Sequence, residues 1–121
     1  MCGLVGLITS DRNLEDQNII VSKMLDSISH RGPDGEGKAH IKGQAIFGHK
    51  RLAVIDLDHG AQPMVSKNGQ YTLVYNGEIY NYLELRKLLI KRGIKLTSFS
   101  DTEILLNLLI IDGEKALSSL N

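Results

Sequence analysis

The feature that most limits how this chain can fold is an apolar run at its start, Leu4-Val5-Gly6-Leu7-Ile8, with Met1-Cys2-Gly3 directly in front of it. A continuous run of this length suits a strand buried on both faces. Termini are mobile in most proteins unless a sheet or a docked helix holds them. Here the strand starts so early that the leading residues are fixed with it, and the sequence's one cysteine, Cys2, is among them. If Met1 is removed, Cys2 carries both a thiol and a free α-amine. Their ordinary pKa values are about 8.5 and about 7.7–8.0, so near neutral pH the amine can accept the thiol proton. An N-terminal nucleophile works in this way, with its own amine as general base. A lone cysteine is most often a small buried hydrophobe or an inert surface thiol, so position alone does not decide.

At 121 residues the chain is at most one domain, at the small end for an enzyme. Fourteen basic residues balance 14 acidic ones, and neither sign forms a long run. Nothing therefore suggests an electrostatic hold on nucleic acid or an anionic membrane. One cysteine cannot close an internal disulfide, which fits a reducing compartment. No signal peptide is evident at the N-terminus, and the nearly apolar run Ile104 to Ile111 is too short to span a bilayer. The expectation is a cytoplasmic protein.

Asn13 predicts the start of a helix, with Glu15 and Asp16 in its first turn and Ile20, Val21, Met24, Leu25 and Ile28 on its buried face. His30-Arg31-Gly32-Pro33-Asp34-Gly35 ends it as a loop. Lys38 to Lys42 and Gln44 to His49 read as strands around Gly43, and Arg51 to Ile55 continues the second, followed by a loop to Pro63. Val65 and Tyr71 to Tyr75 predict a hairpin about Asn68-Gly69, which fits a two-residue type I′ turn. Asn81 and Glu84 predict a capping box for a helix that buries Leu85, Leu88 and Leu89 and stops at Gly93. Ser100 and Glu103 predict a second capping box, ahead of Ile104, Leu105, Leu108 and Leu109; Gly113 breaks that helix and Glu114 to Leu120 starts another. Strands with flanking helices point to an α+β layered architecture.

Three features besides Cys2 could carry chemistry. Arg51 interrupts an apolar strand stretch; its planar fork of donors suits a carboxylate, although an edge-strand arginine snorkelling to water fits equally well. Asn76-Gly77, at a strand end, can aim a side-chain amide and a backbone N–H at one spot, the pair an oxyanion hole needs. It also reads as a plain Asn-Gly turn. Asp101 opens a helix, where the dipole stabilises a carboxylate; there it could also bind an ammonium group.

Taken in order, six segments carry a resemblance: Met1 to Gly6, His30 to Gly35, Gly48 to Leu57, Gly60 to Met64, Tyr75 to Asn81 and Ser100 to Glu103. Together they resemble the class II glutamine amidotransferase domain of glutamine-hydrolysing asparagine synthetases. The resemblance implies a four-layer αββα N-terminal-nucleophile hydrolase sandwich. It implies that Cys2 hydrolyses glutamine to glutamate and ammonia through a thioester. Asn76 and the Gly77 N–H would form the oxyanion hole. Arg51 would grip the substrate α-carboxylate and Asp101 its α-ammonium, with Leu52, Val54 and Glu78 completing the pocket.

In the full-length family the ammonia serves asparagine synthesis from aspartate and ATP, on a synthetase domain or chain that accepts it. This chain lacks the Ser-Gly-Gly-x-Asp phosphate loop of that domain. It reads as a shortened amidotransferase domain over 1–121, the sandwich incomplete at its C-terminus and the synthetase domain absent. An incomplete sandwich would leave apolar sheet surface and an unpaired edge. No cofactor or metal is expected in this chain, since ATP and magnesium belong to the absent domain; a homodimer is compatible with the resemblance. Two alternatives stay open. One is a non-catalytic remnant, serving as a glutamine-binding or interaction module. The other is an N-terminal-nucleophile hydrolase of another amide, which Arg51 and Asp101 disfavour because they suit an amino-acid zwitterion.

Overall fold

The computed structural model describes residues 1–10, 13–42, 44–54, 56 and 59–121. Gly43 and Ile55, which enter the strand predictions, lie outside the described residues. The chain divides into two compact units. One gathers Met1–Ala53, Ala61–Pro63 and Val74–Asn76; the other gathers Val54–Gly60, Met64–Leu73 and Gly77–Asn121. Both strands and helices are present, so the class is α+β as expected. Among the described residues no helix is long and apolar enough to cross a membrane.

The first unit is a three-stranded antiparallel sheet with one helix. Strand β1 (Gly3–Ile8) and β2 (Gly35–Ile41) flank β3 (Ala45–Arg51). The register sets Gly3 opposite Lys50 and Gly37 opposite His49. Helix α1 (Leu14–Ser27) starts where Asn13 accepts hydrogen bonds from the N–H groups of Glu15 and Asp16, as its sequence predicts. It lays Val21 and Leu25 on Val5 and Ile46, with Leu7, Met24 and Ile28 packed round them. Each fully buried aliphatic side chain of this kind stabilises the fold by about 1.5–3 kcal/mol. The sequence overstated two faces. Leu4 is exposed while Val5 is buried, so β1 alternates instead of being buried on both sides. Ile20 is also exposed, whereas the buried stripe of α1 takes in Gln17.

The predicted continuation of β3 through residues 52–55 does not form within the described residues. Leu52 turns both its N–H and its carbonyl to the Cys2 sulfur, and the Ala53 N–H goes to the Asp34 carboxylate. With backbone groups committed to side chains, no ladder partner is needed there.

In the second unit, β4 (Met64–Val65) pairs with β5 (Thr72–Leu73), a hairpin much shorter than expected. Its connection is not the two-residue type I′ turn. The Ser66 carbonyl accepts from Gly69 N–H, and Ser66 N–H donates to the Tyr71 carbonyl, enclosing four residues. Asn68 uses its side-chain oxygen to accept from Ser66 Oγ and from Gln70 N–H, and of the Asn-Gly pair only Gly69 is left-handed, at φ 69°.

Helix α2 (Tyr82–Lys91) packs on α3 (Asp101–Asp112), which runs into a 3₁₀ turn over Gly113–Ser119. Leu85 and Leu89 are buried, but Leu88 is exposed. Helix α2 stops as predicted at Gly93: Ile94 N–H donates to Leu89 and Gly93 N–H to Ile90, a Schellman motif. It requires a left-handed residue, and Gly93 has φ 82°. Helix α3 is buried around most of its circumference, from Asp101 to Leu106 and again at Leu108.

Neither capping box closes as expected. Asn81 makes no cap hydrogen bond; its side chain donates to the Ser119 carbonyl and accepts from Asn121 N–H. Ser100 does cap α3 through Thr102 N–H. The Glu103 carboxylate reaches past Ser100 to the backbone and hydroxyl groups of Thr97 and Ser98, four donors in all.

Candidate active site

Of the residues singled out by the sequence, Cys2, Arg51, Leu52 and Asn76 belong to the first unit. Val54, Gly77, Glu78 and Asp101 belong to the second.

Within the first unit the antiparallel pairing of β1 with β3 brings the start of one strand to the end of the other. Cys2 consequently meets Leu52. The thiol donates to the Leu52 carbonyl at 3.4 Å, and the Leu52 N–H donates to the sulfur at 3.2 Å. The Cys2 carbonyl accepts from Arg31 Nε at 3.1 Å. Met1 is 80% exposed and Cys2 half-buried, so the sulfur is fixed without being sealed in the interior. Arg51 is the last residue of β3. Its carbonyl accepts from Asp34 N–H at 3.0 Å, and the Asp34 carboxylate accepts from Ala53 N–H at 2.9 Å. The loop around Pro33 therefore wraps the end of β3 and sets the direction of residues 51–53. Asn76 is exposed, three residues beyond β5 and not at its tip.

Within the second unit the N-terminus of α3 meets the stretch that follows Glu78. Asp101 is the first residue of α3, mostly buried, and accepts from Ile79 N–H at 3.3 Å. Gly77 and Glu78, both exposed, directly precede that tie. Val54 is exposed and lies two residues before Asp56. The Asp56 carboxylate accepts from Phe99 N–H at 2.7 Å and from His59 N–H at 3.1 Å. The Phe99 N–H holds its carboxyl below the usual range, against burial. Burial pushes the Glu103 carboxyl up, but the donors of Thr97 and Ser98 together pull it lower still, to a net depression. Two ionised carboxylates thus shape the stretch that leads into α3. Among the described residues no three His, Cys, Asp or Glu side chains converge as a metal site would require.

Sequence reasoning missed Arg31, Asp34 and Glu103 as builders of these surroundings. Arg31 and Asp34 stood in the motif but were read as loop chemistry. The usable signal was an arginine and an aspartate flanking Gly32-Pro33, charged groups placed beside a turn whose backbone needs partners.

Residues 1–121 match the glutamine amidotransferase domain family along their whole length. The chain belongs to that family. The amidotransferase domain is 41% identical over 126 residues to asparagine synthetase [glutamine-hydrolyzing] 3 of Bacillus subtilis, covering 100% of this chain and 20% of that protein. It is 41% identical over 108 residues to the probable asparagine synthetase [glutamine-hydrolyzing] of Schizosaccharomyces pombe, covering 89% and 19%. It is 33% identical over 121 residues to the asparagine synthetase [glutamine-hydrolyzing] of Sandersonia aurantiaca, covering 100% and 22%. The chain thus spans about a fifth of the length of these relatives.

Proposed function

We propose that this amidotransferase domain hydrolyses glutamine to glutamate and ammonia, with Cys2 as nucleophile once Met1 has been removed. The Cys2 amine takes the thiol proton as sulfur attacks the side-chain carbonyl carbon of glutamine. The carbonyl oxygen becomes an oxyanion facing the Asn76 amide and the Gly77 N–H. Collapse breaks the C–N bond, and the amine's proton leaves with ammonia. Water then adds to the thioester and releases glutamate and the thiol. Arg51 binds the substrate α-carboxylate and Asp101 its α-ammonium, with Leu52, Val54 and Glu78 lining the pocket. A cationic fork and an anion are what the two charged ends of an amino acid require.

The family match along all 121 residues carries this reading. The two small sheets and their helices are compatible with part of a four-layer αββα sandwich. Ammonia consumption in asparagine synthesis from aspartate and ATP, by a synthetase domain or partner chain, is the natural destination given the names of the relatives. Cytoplasmic location fits that role.

The decisive experiment is a glutamine hydrolysis assay on purified protein whose N-terminus has been sequenced. Turnover is expected from protein starting at Cys2 and is lost by at least about a thousandfold in Cys2→Ala, as for other removed nucleophiles. Calorimetry on Cys2→Ala should still detect glutamine binding. Binding without turnover in the unmutated, Met1-free protein would overturn catalysis and leave a glutamine-binding module.

A further inference from the structure

His49 is a buried titratable group that the mechanism above does not use. It lies on β3 with no solvent exposure, opposite Gly37 on β2. Residues directly opposite one another across two strands project to the same face of the sheet. At Gly37 that face carries no side chain, and residues 62–63 fill the gap. A Cβ there would strike the Gln62 carbonyl and the Pro63 ring, so only glycine permits the approach. The missing side chain thus seats Gln62 and Pro63 over the strand position paired with His49.

Gln62 also reaches Tyr75. Gln62 Oε1 accepts from the Tyr75 N–H at 2.6 Å. Neither His49 ring nitrogen makes a hydrogen bond. Burial holds the ring below the usual histidine range, and the Arg51 charge adds to burial. The N–H of Tyr75 is therefore held by a side chain of the same unit. The next residue is Asn76.

We propose that Gln62 is a positioning residue for amide hydrolysis, gripping the Tyr75 backbone at its N–H and thereby aiming the Asn76 amide at the oxyanion. This role rests on the glutaminase reading above. Residues 74–76 follow a strand of only two residues, so they have no ladder of their own to fix them. An oxyanion donor displaced by about 1 Å can lose on the order of a hundredfold in rate. Gly37 and Gln62 are then one device: a glycine admits the loop and an amide takes the N–H.

Gln62→Met, which keeps size and removes the acceptor, separates this role from general support. Its kcat for glutamine is expected to fall about 10- to 100-fold with little change in KM, while Cys2 alkylation by iodoacetamide, which forms no oxyanion, keeps the parental rate. Gln62→Glu retains an acceptor and should recover most of the loss. Thermal unfolding is followed on every variant. Amide hydrogen exchange at Tyr75 reads the grip without any activity and should accelerate in Gln62→Met. Unchanged exchange at Tyr75 would overturn the grip. Accelerated exchange with unaltered kcat, or a kcat loss that vanishes on correcting for folded protein, would overturn its role in positioning Asn76. A parent protein without Cys2-dependent turnover would remove the glutaminase reading, and with it that role, while the exchange result would still decide whether the grip exists.

Discussion

The two units secure their polar residues by different physics. In the first, the end of β3 inherits its place from a regular antiparallel ladder, and α1 fixes that ladder through Val21 and Leu25. Side chains such as Arg31 and Asp34 then add single contacts to an already rigid edge. In the second, the strands among the described residues form a two-stranded hairpin, and carboxylates set the approach to α3. Glu103 collects four donors and Asp56 fastens Phe99 and His59. A ladder tolerates the loss of one polar partner, whereas a hub of charge-assisted bonds does not.

Apolar truncation gives the largest expected effect and tests the ladder side of this contrast. Leu25→Ala should destabilise by about 2–5 kcal/mol in denaturant unfolding, because a fully buried leucine leaves a cavity. A loss below about 1 kcal/mol would mean that α1 does not fix the sheet. Next comes Glu103→Gln, which keeps the shape but gives up one acceptor oxygen and the charge. It should lower stability by about 1–3 kcal/mol, since the buried donors of Ser98 and the part-buried ones of Thr97 lose a partner. Asp34→Asn in the first unit serves as its control, expected within about 0.5 kcal/mol because that contact is exposed. Equal losses in the two variants would erase the distinction.

Acid titration sharpens it further. Glu103 has a carboxyl depressed from an ordinary 4.5, so its contribution is present above that pH and is lost as pH falls through the lower folded-state value. His49 is a base depressed from 6.5, and the unfolded chain therefore takes up its proton first. Stability should begin to decline below pH 6.5 on its account and below 4.5 on account of Glu103. His49→Gln should flatten only the upper limb and Glu103→Gln only the lower, as read from unfolding free energy against pH. A single limb unaffected by His49→Gln would show that the imidazole is not buried neutral. A modest loss is expected for Gly93→Ala, about 1 kcal/mol by thermal melting, from forcing an alanine into the left-handed region at φ 82°.

Helical spacing and local caps made α1, α2 and α3 legible in the sequence, down to Asn13 and Gly93. The strand behind the leading cysteine was legible for the same reason, since the apolar run Leu4 to Ile8 is local information. What failed was non-local. Leu4 and Ile20 carry apolar side chains whose exposure depends on what lies opposite. Glu103 matched a capping box by spacing, but its carboxylate found better company in Thr97 and Ser98. The end of β3 was misjudged because Asp34, 17 positions before Arg51, redirects it, and because Leu52 turns to the Cys2 sulfur. The family's motifs named candidate site residues, but no spacing rule leads from Gly37 to Gln62 or from Gln62 to Tyr75.

The anchoring of Cys2 has a bearing on how the protein matures. Its sulfur is tied to Leu52 and its carbonyl to Arg31, and neither tie runs through the backbone nitrogen that joins it to Met1. A peptidase acting on the exposed Met1 would unmask an amine beside a sulfur that already has its final address. On the proposed mechanism, activation would then reduce to cutting one bond on a finished scaffold.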